Sequence, residues 1–358
     1  MNLKLGIGLL IALGLGAVVF VIIAVTTFQR PPEKQVQIGY RGVGMVEVFH
    51  PATLAAEQAA NVVPPADDKL DPSGQKSSEV YMNVQVLKDL DSNEFLRLMN
   101  AMTTWVAPVQ GCAYCHNTDN MAEDTLYTKV VARRMLQMVA NINGNWKSHV
   151  GSTGVTCYTC HRGNPVPQNI WYDNRRPAME HGLTQDKLAK NIASSVVGSA
   201  SLPSDVLSQF LDHDNEIRLI GDTALPEGNR HSIKNAEWTY GLMMYMSTSL
   251  GVNCVYCHNS RAFSNWQQST PQRVTAWYGI RMVRDLNNHY LDPLKSVFPD
   301  YRLGPTGDGP KLACGTCHNG VYKPLFGVSM LTDYPELNAV SLTATPAPAM
   351  PEPAAAPQ

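Results

Sequence analysis

No cysteine in this 358-residue chain is left over: all eight fall within four C-x-x-C-H motifs. That excludes a lipidated N-terminal cysteine and leaves no thiol for a disulfide framework outside the motifs. A surplus of positive charge is also missing. The 28 Lys and Arg face 30 Asp and Glu, a net charge of −2, so nothing points to nucleic acid. Histidine is scarce: outside the motifs only His50, His149, His181, His213, His231 and His289 remain. One long, almost wholly apolar stretch, residues 5–28, lacks charge altogether.

The motifs are Cys112-Ala-Tyr-Cys115-His116, Cys157-Tyr-Thr-Cys160-His161, Cys254-Val-Tyr-Cys257-His258 and Cys314-Gly-Thr-Cys317-His318. C-x-x-C-H is the attachment signature of c-type haem. Two thiols at this spacing form thioethers with the two vinyl groups of one haem. The adjacent histidine supplies an axial ligand to its iron. Zinc knuckles do not require a histidine after each second cysteine. A redox C-x-x-C pair normally appears once, and a disulfide scaffold would not set one histidine after every pair. Four motifs therefore read as four covalently attached haem c groups. The 24 Pro and 26 Gly imply much irregular chain, which four haems would help to bury.

The uncharged stretch from Leu5 to Phe28 is 24 residues long. A bilayer-spanning helix needs about 20 residues, whereas the apolar region of a secretory signal is usually about 7–15. Length favours a retained N-terminal anchor. Lys4 before it and Arg30 and Lys34 after it leave the positive-inside rule nearly silent. Orientation rests instead on haem attachment, which occurs outside the bacterial cytoplasm and places the haem domain on the periplasmic side of the inner membrane.

The chain divides by composition and repeat. Residues 1–28 form the transmembrane anchor and 29–80 an extended lead segment. Residues 81–165 form a first di-haem half, 166–235 a connector, 236–325 a second half and 326–358 a Pro/Ala-rich tail. The repeat rests on Gly111-CAYCHN against Asn253-CVYCHN and on Thr156-CYTCHRG against Ala313-CGTCHNG. The predicted fold is mainly α, with two pseudo-repeated di-haem halves, long irregular connections and one transmembrane helix.

A helix is predicted before each motif. Three of these helices carry M-x-x-M: Met99/Met102, Met135/Met138 and Met243/Met246. A helix lying along the face of a haem can offer one methionine sulfur as sixth ligand, which favours a higher reduction potential than histidine does. Methionine at helical spacing also fills cores, so one member of each pair is core. The fourth helix breaks the pattern. Arg281-Met282 aligns with Arg134-Met135, but Val283-Arg284-Asp285 replaces the second methionine. Residue reasoning leaves Met282 and His149 both open as the fourth sixth ligand.

With these features in hand, the chain resembles the tetrahaem cytochrome c subunits of purple bacterial photosynthetic reaction centres. The resemblance runs over about residues 36–326 and rests on GCAYCHN, RRMLQM, NWKSHVG, GVTCYTCHRG, GVNCVYCHNS, RMVRDLN, RLGP and CGTCHNG. It implies haems held by His116 with Met99, His161 with Met135, His258 with Met243, and His318 with His149. Three would be His/Met and one bis-His, with Met282 a relic of the repeat. It implies an electron carrier, not an enzyme, that re-reduces the photo-oxidised bacteriochlorophyll pair. The implied partners are the reaction-centre L, M and H subunits, the core light-harvesting antenna, and a soluble periplasmic cytochrome c or high-potential iron–sulfur protein as donor. Many members carry a lipidated N-terminal cysteine; this sequence has none there.

Two other classes compete: a membrane-anchored tetrahaem quinol dehydrogenase, whose distal ligands are mainly His, and a multihaem reductase with one open haem. Asp119, Glu123 and Asp124, with Asp67, Asp68 and Asp71, form either an acidic docking face or a solvated loop. Arg134 and Arg281 are candidates for pairing with haem propionates or nearby carboxylates. Mixed ligation predicts three higher-potential haems and one lower. A redox titration checks this, and four similar low potentials would exclude it.

Overall fold

The computed structural model describes residues 3–28, 34–37, 46–173, 190, 193–219 and 233–338. Parts of the lead segment and connector, and the tail beyond residue 338, lie outside the described residues. The fold is mainly α, as expected.

Helix α1 (Leu3–Thr27) is apolar, and its described side chains are almost all exposed. An apolar helix with so little protein cover is suited to lipid. A small antiparallel pair follows, β1 (Lys34–Gln37) against β2 (Val46–Phe49), with Lys34 opposite Phe49. Then come α2 (Pro51–Ala60) and the short α3 (Ser77–Val80). The haem-bearing region uses α4 (Ser92–Val106), α5 (Tyr127–Asn145), α6 (Lys147–Val150) and α7 (Cys157–His161). After α8 (Val206–Leu211) it resumes with α9 (Ile233–Leu250), α10 (Pro271–Leu286) and α11 (Cys314–His318).

The long helices form where the sequence pattern places them. Asp91 caps α4 by accepting from the Asn93 N–H at 2.9 Å. Leu98, Ala101 and Trp105 then recur at helical spacing and are buried. On α10 the same face is Ile280, Val283 and Leu286.

The two halves share one hydrophobic cluster, which joins Leu98, Trp105 and Leu136 to Leu242, Ile280 and Leu286. The connector contributes to it. Val206, Phe210 and Leu211 of α8 are buried, and the Phe210 carbonyl accepts from Arg284 Nε. Asn287 clasps the same region: its side chain donates to the Leu211 and Leu312 carbonyls and accepts from the Leu312 N–H.

Residues 326–338, placed with the tail by composition, pack against the first half instead. Tyr334 meets Trp105 edge-on at 4.7 Å and lies under Arg97. Buried Arg97 donates to the Asp67 and Asp333 carbonyls, so lead segment, α4 and C-terminal chain meet at one guanidinium. Asn143 binds the Leu337 carbonyl, and Leu337 is fully buried. The Pro/Ala composition begins beyond this packed segment, which is why composition sets the boundary too early.

Leu98→Ala removes a fully buried side chain from the shared cluster. It is expected to destabilise the subunit by about 2–5 kcal/mol, measured as a lowered thermal midpoint of the detergent-solubilised protein.

Candidate functional site

The four motifs fall into two structural types. The first and third open as 3-10 turns, Gly111–Tyr114 and Cys254–Tyr256. The second and fourth are the short helices α7 and α11, each closed by a left-handed residue, Arg162 (φ 50°) or Asn319 (φ 49°). In α7 the Thr159 hydroxyl accepts from the Thr156 N–H, and in α11 Thr316 accepts likewise from Ala313. The repeat therefore pairs first with third and second with fourth.

Every motif histidine has its Nδ1 on a backbone carbonyl of its own loop. His116 meets Met121 at 3.0 Å and His258 meets Phe263 at 3.0 Å. His161 meets Asn164 at 2.9 Å and His318 meets Val321 at 3.0 Å. A carbonyl only accepts, so Nδ1 carries the proton in each ring. The Nε2 lone pair is then available to a metal, and the ring's orientation is set by its partner. Burial holds His161 and His258 below the ordinary histidine range and pushes His318 down to about 4, helped by nearby His149. These rings are neutral near pH 7, as ligands must be.

His149 on α6 has the same tautomer, with Nδ1 donating to the Thr275 carbonyl of α10 at 2.9 Å. Burial lowers its pKa too. Its ring centroid lies 6.1 Å from that of His318. Two iron–nitrogen bonds of ~2 Å and two ring radii of ~1.2 Å span about 6 Å, by analogy with other imidazole–metal bonds. The pair is spaced for one metal between them.

A cavity of about 720 Å³ holds the first two sites. Its wall carries Met99, His116 and Cys112/Cys115, together with Met135, His161 and Cys157/Cys160. Met135 is half-buried there, and its pair-mate Met138 also lines the wall but is buried. Met99 and Met102 both remain half-buried at the wall. On α9, Met243 stands seven residues before the helix's last residue, as Met99 does on α4. Met243 and Met246 are both half-buried.

Cys115, Cys157, Cys257 and Cys314 do not resemble a redox pair or metal thiolates, while contact with the Cys160 thiol lowers Cys317. Burial pushes the Cys157, Cys257 and Cys314 thiols up to about 12 and Cys115 to about 11, whereas reactive cysteines have lowered values. The residues fit haem c: paired thiols beside an oriented imidazole, a large apolar cavity and a spaced histidine pair. Arg302 adds a further sign, since its Nε is buried without a hydrogen-bond partner and the residue lines the cavity. A haem propionate is suited to it. Arg302 opens the RLGP stretch that carries the resemblance, but nothing in the sequence ties it to the first two motifs, from which it lies far.

Several sequence expectations are redirected. Arg134 donates to the His289 carbonyl and to Gln137 and lies over Tyr290. Arg281 donates to the Trp277 carbonyl and stacks on the Trp277 ring. Asp124 is held by Lys129 and Arg133, and Glu123 accepts from Asn117 and Asn120, so both brace the first loop. Asp119, Asp67, Asp68 and Asp71 are exposed, as is Asp124 despite its ion pairs.

The alignment of Met282 with Met135 also differs from the structural register. Thr128 donates to the Tyr114 carbonyl, and Thr270 donates to that of Tyr256. Each tyrosine directly precedes the second cysteine of its motif. This register sets Trp277 opposite Met135 and Gly279 opposite Gln137, and Met282 is buried in the core. Asp285, which interrupts the M-x-x-M pattern, accepts from Asn141 and Trp146 at 3.0 Å each and pairs with His289. It fastens the chain leading into α6 onto α10.

The family described as photosynthetic reaction centre cytochrome C subunit matches residues 29–338. The chain is 52% identical over 315 residues to a photosynthetic reaction center cytochrome c subunit of Thermochromatium tepidum, covering 88% of this chain and 78% of that protein. It is 51% identical over 314 residues to the subunit so named in Rubrivivax gelatinosus, covering 86% and 84%. It is 43% identical over 347 residues to that of Roseobacter denitrificans, covering 90% and 91%.

Asp285→Ala strands three donors at once. It is expected to lower stability by about 2–4 kcal/mol, with Asp285→Asn milder, read from thermal midpoints of the purified subunit.

Proposed function

The chain belongs to the photosynthetic reaction centre cytochrome c subunit family, and from that premise we propose how its sites serve electron transfer. It is an electron-transfer subunit of a photosynthetic reaction centre, a carrier and not an enzyme. It carries covalently bound haem c and is membrane-associated.

Our reading is four haems in four seats. Cys112 and Cys115 hold the first, with His116 and Met99 as axial ligands. Cys157 and Cys160 hold the second, with His161 and Met135. Cys254 and Cys257 hold the third, with His258 and Met243. Cys314 and Cys317 hold the fourth, with His318 and His149. The observation that carries this reading is the 6.1 Å spacing of His149 and His318, two residues 169 positions apart whose rings leave room for one iron. Bound haem supplies a one-electron iron couple. The chain holds and orients the ligands, excludes water and tunes potential through Met or His ligation.

The seats lie in a row. The first and second share one cavity. The second and fourth touch through Cys160 Sγ and Cys317 Sγ, 2.8 Å apart. The fourth and third meet where the Gly320 N–H donates to the Ser249 carbonyl and the Tyr256 and Tyr322 rings stand 6.1 Å apart. The order is first, second, fourth, third.

The third seat is the membrane end. Buried Glu47 of β2 accepts from the Asn253 N–H beside Cys254. The chain from Phe28, at the end of α1, to β1 reaches at most roughly 20 Å. The first seat is then the outer end, where a soluble periplasmic cytochrome c or high-potential iron–sulfur protein delivers electrons, with exposed Asp119 nearby. The domain sits on the periplasmic face of the inner membrane, held by a single span, against the L, M and H subunits and within the core antenna.

His149→Met is expected to raise the midpoint potential of one haem toward the other three, with all four still covalently attached. Spectroelectrochemical titration of photosynthetic membranes, combined with flash-induced haem oxidation, measures it. A variant titration identical to the parent would sink the His149 assignment.

A further inference from the structure

A glycine lies on α10 at the point where His149 meets the helix. A Cβ built on Gly279 would stand 2.5 Å from Cε1 of His149, 2.8 Å from its Nδ1 and 3.2 Å from its Nε2. Real side chains do not approach so closely, so the imidazole rests directly on the helix backbone. One turn earlier, the Thr275 carbonyl accepts the Nδ1 proton. The carbonyl fixes which nitrogen is free, and the glycine fixes how deeply the ring sinks.

Backbone freedom does not explain this glycine. Gly279 is buried within a regular helix and has no positive φ. Glycine in a helix interior is disfavoured against alanine. Space is the remaining reason. The repeat register supports it, because the counterpart helix α5 has Gln137 at this position and offers its own Met135. In α10 the register of Met135 is taken by Trp277, and a slot opens two residues later for a ligand from the other half.

We propose that Gly279 is the positioning residue that selects the ligand class of the fourth seat: its missing side chain admits His149, and any side chain there leaves that iron without its second histidine. The inference rests on the bis-histidine reading above.

The test uses the whole complex in native membranes. Gly279→Ala is expected to convert one haem to a form that binds carbon monoxide when reduced, about one per subunit, where the parent binds none. One midpoint potential shifts and three stay, and added imidazole closes the new site. Gly241→Ala on α9 is the packing control, since its Cβ would meet Val206 Cγ1 at 2.8 Å and no ligand. It is expected to bind no carbon monoxide, and the same new site in that variant would overturn the proposal. His149→Ala separates the two levels. If it opens no site and shifts no potential, the bis-histidine reading fails. If it opens one while Gly279→Ala keeps four parental potentials, the reading stands and Gly279 is only a packing residue. Should Gly279→Ala fail to accumulate, His149→Ala/Gly279→Ala decides. Accumulation equal to His149→Ala alone supports the proposal, because the clash is gone; a further loss overturns it.

Discussion

The carboxylate of Asp285 accepts from Asn141 and Trp146, and a few residues later the His149 ring settles against α10 between the Thr275 carbonyl and Gly279. This one crossing sends a segment of the first half into the second. It brings α6 beside α11, sets His149 opposite His318, and draws the second and fourth motifs together at Cys160 and Cys317. The shared core follows from it, since α5 and α10 cannot lie this close without merging their apolar faces. Two separable di-haem domains are incompatible with such a crossing.

The chemistry of each seat rests on a modest device. A backbone carbonyl takes the Nδ1 proton of the histidine, and the loop carrying that carbonyl is short. In the second and fourth motifs it lies three residues on; in the first and third it lies five residues on. The ligand's orientation is thus written into the motif's own turn. Burial keeps His161, His258 and His318 neutral, so the carbonyl determines which nitrogen is left for iron.

Much of this was legible in the sequence. The eight cysteines announce haem attachment, the uncharged stretch announces α1, and helical periodicity locates α4, α5, α9 and α10. That Met135 is half-buried at the cavity wall while Met138 is buried there was not legible, because both obey one spacing and only packing separates them. The alignment of Met282 with Met135 followed residue identity, whereas the register follows Thr128 and Thr270. Asp124 and Glu123 read as surface charge, yet their partners lie within the same loop and on α5. The roles of Gly279 and Arg302 were not legible, because a gap and a buried Nε without a partner acquire meaning only against neighbours distant in sequence.

The two kinds of motif have a consequence for the row they build. On the proposed order, the match of first with third and of second with fourth sets two like halves back to back at their inner ends. The order outer, inner, inner, outer is a palindrome, and a palindromic wire has no intrinsic direction. Polarity must come from wherever the duplication has diverged. Two such places stand out: the segment proposed to tie one end to the membrane, and α10, where a glycine stands at the register of a glutamine and, on the proposed ligand set, His149 takes the place of a methionine.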